Sequence, residues 1–145
     1  MKKDHVLIIC TQNSARSQMA EAFLKKYGGD ILDVDSAGME PAPINLYAVK
    51  VMAEIGIDIS KQRSKSVREF LGRTPVSYVI AVCKKAEGKC PIIFPGVRHI
   101  LSWPFDDPAS FEGSEDEKLA NVRRVRDAIE TRIKEWLAGY RAGQN

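Results

Sequence analysis

The residues best suited to chemistry stand together near the start of the chain, in the sequence Cys10-Thr11-Gln12-Asn13-Ser14-Ala15-Arg16-Ser17. A cysteine thiolate is a strong nucleophile when nearby positive charge stabilises it. The planar guanidinium of Arg16 can bind two oxygens of one anion. This combination indicates nucleophilic attack on the phosphorus or arsenic centre of a tetrahedral oxyanion.

The elements on either side of this loop support an anion site. The apolar run Val6–Ile9 predicts a buried strand, and apolar residues at helical spacing from Met19 to Tyr27 predict a helix. Free amide N–H groups and the helix dipole favour an anion at such a helix N-terminus. The predicted oxyanion-binding residues are Thr11, Gln12, Asn13, Ser14, Ala15 and Arg16.

Three further expectations concern single residues of the loop. The positive surroundings should lower the pKa of Cys10, Ser17 should donate a hydrogen bond to its thiolate, and Asn13 tolerates a left-handed backbone. The alternative is that Cys10 is only a small buried residue at the end of a strand, as free cysteines often are.

The rest of the chain alternates between strand and helix patterns, which predicts one α/β domain over residues 1–145. Its sheet should have about four parallel strands, with helices on both faces in a three-layer sandwich. Further strands are expected at 31–36, 77–82 and 98–103, and further helices from 45 to 55, 66 to 71 and 115 to 140.

Composition sets limits on the function. The 145 residues carry a net charge of +3, which suits an anionic substrate and is too small to indicate nucleic-acid binding. The sequence shows neither a signal-peptide pattern nor a membrane-spanning apolar segment, so a cytoplasmic monomer is expected. An odd number of cysteines, three, argues against a structural disulfide framework.

The remaining cysteines, Cys83 and Cys90, allow more than one interpretation. Cys83 follows the predicted strand 77–82, so it could be a core residue, and Cys90 could be an incidental loop thiol. A zinc site is disfavoured because the spacing is too long for a zinc knuckle and no further ligands are evident. Flanking lysines would favour the thiolates, although a lysine-rich loop is usually only solvated, and the intervening glycine would let the loop bring the sulfurs together. Redox roles are thus a further possibility, which the resemblance described next favours.

The loop and several later motifs together resemble the thioredoxin-coupled arsenate reductases, which share the low-molecular-weight protein tyrosine phosphatase fold. The similarity extends over nearly the whole chain. The matching motifs are Ile8-Ile9-Cys10-Thr11-x-Asn13-Ser14-x-Arg16-Ser17-Gln18-Met19, Ser36-Ala37-Gly38, Ile57-Asp58-Ile59-Ser60, Cys83-x6-Cys90-Pro91 and Phe105-Asp106-Asp107-Pro108-Ala109.

The resemblance implies reduction of arsenate to arsenite through a disulfide cascade. Cys10 attacks arsenic, and Asp107 protonates the leaving hydroxyl. Cys83 then attacks Cys10, Cys90 attacks Cys83, and thioredoxin reduces the final disulfide. No metal or other cofactor is implied. Without the resemblance, Asp107 is equally consistent with a turn-forming residue before Pro108.

The sequence departs from the family at three positions. Gln12 stands where the family usually has glycine, which affects substrate preference, and Ala15 replaces a variable cysteine. Some of these reductases hold a potassium ion beside the loop, with an acidic residue at the position of Lys65. We expect the Lys65 ammonium to supply the positive charge in place of the potassium ion and to make activity insensitive to potassium.

Two rival functions make different predictions. A low-molecular-weight phosphatase that hydrolyses phosphate monoesters needs a nucleophile and an acid, but neither Cys83 nor Cys90. A non-catalytic oxyanion-binding module would bind arsenate without oxidising any thiol.

Overall fold

A computed structural model describes residues 2–72, 75–84, 87 and 96–143. Its sheet has four parallel strands in the order β2-β1-β3-β4, which confirms the predicted α/β architecture. In chain order the elements are β1 (Asp4–Cys10), α1 (Arg16–Gly28), β2 (Leu32–Gly38), α2 (Leu46–Ala53), a 3-10 helix (Val67–Glu69), β3 (Tyr78–Ala81), β4 (His99–Ser102), a second 3-10 helix (Pro108–Ser110) and α3 (Glu115–Arg141).

The inner strand β1 is apolar from Val6 to Cys10 because both of its faces are covered there. Val6, Ile8 and Cys10 belong to the larger core, together with buried residues of all three α-helices. Leu7 and Ile9 point to the opposite face, as the two-residue period of a strand requires.

The opposite face is covered differently from the prediction. Residues 66–71 form one turn of 3-10 helix over Val67–Glu69, where a longer helix was expected. Ser66 and Glu69 cap this turn reciprocally, and Phe70 is its C-cap residue. In the described part of that face, the partners of Leu7 and Ile9 outside the sheet come from this turn and from loops: Val67, Phe70, Val76 and Val97.

The last helix, α3, confirms the long amphipathic pattern. Ser114 caps its N-terminus in a capping box with Glu117, and an apolar stripe faces the core. Within the described residues, none of the helices combines the length and the apolar composition needed to cross a membrane.

The sheet places the expected site residues at one edge. All four strands are parallel, so their C-terminal ends meet along the same edge. Cys10 ends β1, Cys83 lies two residues beyond β3, and Asp107 follows β4. Residues distant in sequence are therefore neighbours at this edge.

Candidate active site

The loop after β1 is held by its carbonyl groups. Each carbonyl from Cys10 to Ser14 accepts a hydrogen bond from outside the loop. Since the N–H and C=O of one peptide plane point in opposite directions, this anchoring directs loop N–H groups away from the anchoring residues. The backbone N–H groups of Met39, Glu40, Ala42 and Asn45 donate to the carbonyls of Cys10, Thr11, Gln12 and Ser14, at 3.3, 2.8, 3.0 and 2.9 Å respectively. The Asn13 carbonyl accepts from the side chains of Gln18 and Ser64, at 3.0 and 2.9 Å.

Asn13 fixes the loop from within. It has a φ of +52°, as expected for a residue type that tolerates the left-handed region, and its side chain is fully buried. Its amide nitrogen donates to the hydroxyls of Ser17 and Ser36 at 2.8 Å each. Its amide oxygen accepts from the Lys65 N–H at 2.7 Å and from Gln18 at 3.0 Å. All four hydrogen-bonding positions of the amide are thus used.

Gly38 lets β2 approach the loop closely. A Cβ atom at this position would lie 2.7 Å from the Asn13 nitrogen and 2.8 Å from the Gln12 carbonyl carbon. Both are backbone atoms, so neither can move aside cheaply. The Ser36-Ala37-Gly38 motif therefore supplies both a hydrogen-bond partner of Asn13 and the space for the loop.

Helix α1 begins at Arg16 with no side-chain cap, because its N-cap residue is Ala15. An N-terminus without such a cap keeps its first amide N–H groups available for a bound anion. Arg16 itself is buried, and one of its terminal nitrogens donates to the Phe105 carbonyl at 3.0 Å. The guanidinium is therefore held in place beside the loop.

The carboxylate of Glu87 lies against the guanidinium of Arg16. Its two oxygens are 2.5 and 2.8 Å from the two terminal nitrogens of Arg16, so the pair is bidentate. The Thr11 hydroxyl donates to the same carboxylate at 3.3 Å. The Arg16 guanidinium holds the pKa of Glu87 below its usual range.

Asp107 reaches the same site from the end of β4. Its Oδ2 atom is 3.7 Å from a terminal nitrogen of Arg16, and its Oδ1 atom accepts from the Ala109 N–H at 3.0 Å. Asp107, the predicted acid, is therefore both a turn residue before Pro108 and a neighbour of Cys10. Both line one cavity, together with Thr11, Gln12, Ser14, Ala15, Arg16 and Glu87.

The expected lowering of the Cys10 pKa is wrong for this arrangement. Burial of the thiol raises its pKa, and this effect outweighs the opposing influence of the Arg16 charge and the Thr11 N–H. The carboxylates of Glu87 and Asp107 raise the pKa further. The sequence argument counted the positive charge of the loop, but it omitted the burial of the sulfur and the two carboxylates.

Cys83 is buried beside the loop. The Val82 N–H, between β3 and Cys83, donates to the Ile9 carbonyl at 3.0 Å, so pairing with β1 continues up to this cysteine. In this structure Cys83 is part of a disulfide, and Cys10 is a free thiol. The predicted redox partner Cys90 lies outside the described residues.

The surroundings of Ser17 and Lys65 bear on two further expectations. The Ser17 hydroxyl accepts a hydrogen bond from Asn13, so its own proton is available for the Cys10 thiolate. The hydrogen bond from Ser17 to the thiolate stays a prediction. The Lys65 ammonium lies 3.4 Å from the buried carboxylate of Glu21 and donates to the Arg63 carbonyl at 3.0 Å. Lys25 pairs with the other Glu21 oxygen at 2.9 Å.

Sequence reasoning missed Glu87. The sequence marks it only as the one acidic residue between Cys83 and Cys90, and that pattern does not indicate a contact with Arg16. Gln12, at which the sequence departs from the family, lines the cavity and is exposed to solvent.

The comparisons with known proteins agree with this geometry. The family model described as low molecular weight phosphotyrosine protein phosphatase matches residues 5–144. An arsenate reductase of Halalkalibacterium halodurans is 48% identical over 135 residues, which span 92% of this chain and 95% of the relative.

Solved structures similar to this chain are also named arsenate reductases. One of an arsenate reductase in its phosphate-binding state has a TM-score of 0.76 and 30% identity, over 93% of this chain and 97% of that one. A thioredoxin-dependent arsenate reductase of Corynebacterium glutamicum has a TM-score of 0.69 and 29% identity, over 98% of this chain and 64% of that one. The chain therefore belongs to the low molecular weight phosphotyrosine protein phosphatase family, among its members named arsenate reductases.

Proposed function

We propose that this protein reduces arsenate to arsenite, with Cys10 as the nucleophile. The observation that carries the proposal is the arrangement of two cysteines at one sheet edge. Cys10 begins an oxyanion loop with Arg16, and Cys83 is buried at the end of the neighbouring strand. The names of relatives at 42–48% identity support arsenate as the substrate.

The first step is attack by the Cys10 sulfur on the arsenic of arsenate. The loop N–H groups and Arg16 bind the oxygens, with Thr11, Gln12, Asn13, Ser14 and Ala15 as the other substrate-binding residues. Asp107 donates a proton to one hydroxyl, which leaves as water. Ser17 stabilises the Cys10 thiolate through its hydroxyl proton. The product of the step is a covalent Cys10–arsenate adduct.

The second step reduces the arsenic. The Cys83 thiolate attacks the Cys10 sulfur, the sulfur–arsenic bond breaks, and its electron pair stays on arsenic. Arsenite leaves, and a Cys10–Cys83 disulfide remains. Cys90 then attacks Cys83 and frees Cys10, and a dithiol reductant returns the Cys83–Cys90 pair to thiols. The two electrons gained by arsenic thus come from the protein.

The remaining parts of the proposal concern the setting. Thioredoxin is the reductant we propose, on the basis of the family and of the thioredoxin-dependent reductase among the similar structures. We further propose that residues 1–145 act as one catalytic domain, as a monomer in the cytoplasm, where thiols are kept reduced.

Phosphate monoester hydrolysis is the second candidate function. It is favoured by the family model and by the Cys10, Arg16 and Asp107 set, which is sufficient for a phosphatase. Hydrolysis of a phosphate monoester does not require Cys83. Replacing Cys83 therefore distinguishes the two functions.

The test is steady-state arsenite production with thioredoxin, thioredoxin reductase and NADPH, by wild type and by Cys83→Ser. We expect Cys83→Ser to lose multiple turnover and to retain hydrolysis of p-nitrophenyl phosphate at whatever rate wild type shows. Arsenite production by Cys83→Ser at the wild-type rate would contradict the proposal. Arsenate binding by wild type with no thiol oxidised would indicate a binding module.

A further inference from the structure

The Glu87 carboxylate takes the place at Arg16 where a substrate would bind. An arginine fork binds a carboxylate or a tetrahedral oxyanion through the same two N–H groups. Both terminal nitrogens of Arg16 are engaged by Glu87 here, and Thr11 of the loop contributes a third hydrogen bond. While Glu87 holds this position, an oxyanion cannot use the edge of Arg16 between its two terminal nitrogens, and within the cavity that both line it also meets the negative charge of Glu87.

The position of Glu87 depends on the chain that follows Cys83. Its carboxylate accepts from the Lys84 N–H at 3.0 Å, and its own N–H donates to the Lys84 carbonyl at 3.0 Å. Lys84 also forms an ion pair with Asp106. Lys84 is adjacent to Cys83, which is in a disulfide in this structure. A change in the bonding of Cys83 therefore acts directly beside Lys84, the residue whose N–H and carbonyl hold Glu87.

We propose that Glu87 is an internal competitor of the substrate, which closes the oxyanion site while Cys83 is in its disulfide and leaves it once Cys83 is reduced. This inference rests on the proposed function for its redox part, and only on the anion site for the competition itself. The oxidised protein then binds neither arsenate nor phosphate well. It keeps its site closed until a reductant has acted.

Glu87 also affects the nucleophile. Its carboxylate neutralises Arg16 and is one of the groups that raise the pKa of Cys10. Departure of Glu87 therefore lowers the pKa of Cys10 at the same time as it opens the site. Opening of the site and the lowering of the Cys10 pKa then occur together.

The test measures binding of inorganic phosphate by calorimetry in a Cys10→Ser background, where Cys83 and Cys90 are the remaining thiols. Glu87→Gln is compared with Glu135→Gln, an exposed position on α3. In the oxidised form we expect Glu87→Gln to bind phosphate about tenfold more tightly than the background, as for loss of one charged competitor. Reduction with a dithiol should remove most of this difference, and Glu135→Gln should behave as the background.

Two outcomes would overturn the inference: equal phosphate affinity of the oxidised background and oxidised Glu87→Gln, or an unchanged tenfold gap after reduction. A second measurement needs no phosphate. In the otherwise wild-type protein with Cys83 oxidised, the pH profile of Cys10 alkylation should move to lower pH in Glu87→Gln, and an unmoved profile contradicts the model. Neither experiment needs arsenate turnover, so a failure of the proposed reductase function would appear separately.

Discussion

Two regions of the site are built in opposite ways. The Cys10 loop is held by carbonyl hydrogen bonds and by a buried neutral amide, Asn13. The two described residues that follow Cys83 most closely, Lys84 and Glu87, form ion pairs: Lys84 with Asp106, and Glu87 with Arg16. The Asn13 amide has all of its hydrogen-bonding positions in use, whereas the Arg16 guanidinium can pair with an oxyanion as well as with a carboxylate. We therefore expect the oxyanion loop to be fixed and the access to it to be adjustable.

The largest effect is expected at Arg16, where the two regions meet. Arg16→Lys keeps the charge but loses the planar fork, so we expect kcat/KM for arsenate to fall about 100-fold. Arg63→Lys is the matched control, because the Arg63 guanidinium is exposed and pairs with Glu69 at the surface. A fall below about threefold for Arg16→Lys would contradict a bidentate role.

The permanence of the loop is tested by its stability. Asn13→Ala removes four hydrogen bonds and places alanine at a positive φ, so we expect the free energy of unfolding in urea to fall by about 3 kcal/mol. Gln12→Ala, at the exposed neighbouring position, should change it by less than about 0.5 kcal/mol. Equal effects of the two substitutions would show that the buried network does not hold the loop.

The adjustable region is tested by pH. The pKa of Glu87 is lowered by Arg16, so this group stabilises the folded state above its usual value of 4.5, and the stabilisation is lost as pH falls through the lowered pKa. We expect oxidised wild type to be about 1 kcal/mol more stable than Glu87→Gln at pH 7, in thermal or urea unfolding. The difference should shrink below pH 4.5, and a difference independent of pH would contradict the ion pair.

The smallest effect concerns the cation beside the loop. The Lys65 ammonium already lies by Glu21, so a potassium ion there would be repelled, and exchange of sodium for potassium should change arsenite production by less than about twofold. Lys65→Gln removes the ammonium and should make activity respond to potassium. A several-fold rise of wild-type activity with potassium would refute the expectation.

What could be predicted from the sequence depends on the range of the interactions involved. The strand before Cys10, helix α1 and the left-handed Asn13 follow from local patterns, and the structure shows all three. The helix expected over residues 66–71 is a single 3-10 turn over Val67–Glu69, in which the Glu69 side chain folds back to the N-cap residue Ser66.

The raised pKa of Cys10 and the role of Glu87 were not predictable in the same way. Both depend on which carboxylates the fold brings to Arg16 and on how deeply the sulfur is buried. Glu87 is distant from the loop in sequence, and nothing in its local pattern specifies its contact with Arg16. The charge balance of the site is a tertiary property.

The most direct test of the central claim is to mix fully reduced protein with one equivalent of arsenate, without any external reductant, and to map the disulfides by mass spectrometry. We expect one equivalent of arsenite and a Cys83–Cys90 disulfide, with Cys10 again a free thiol. Recovery of all three cysteines as thiols, with arsenate unchanged, would contradict it.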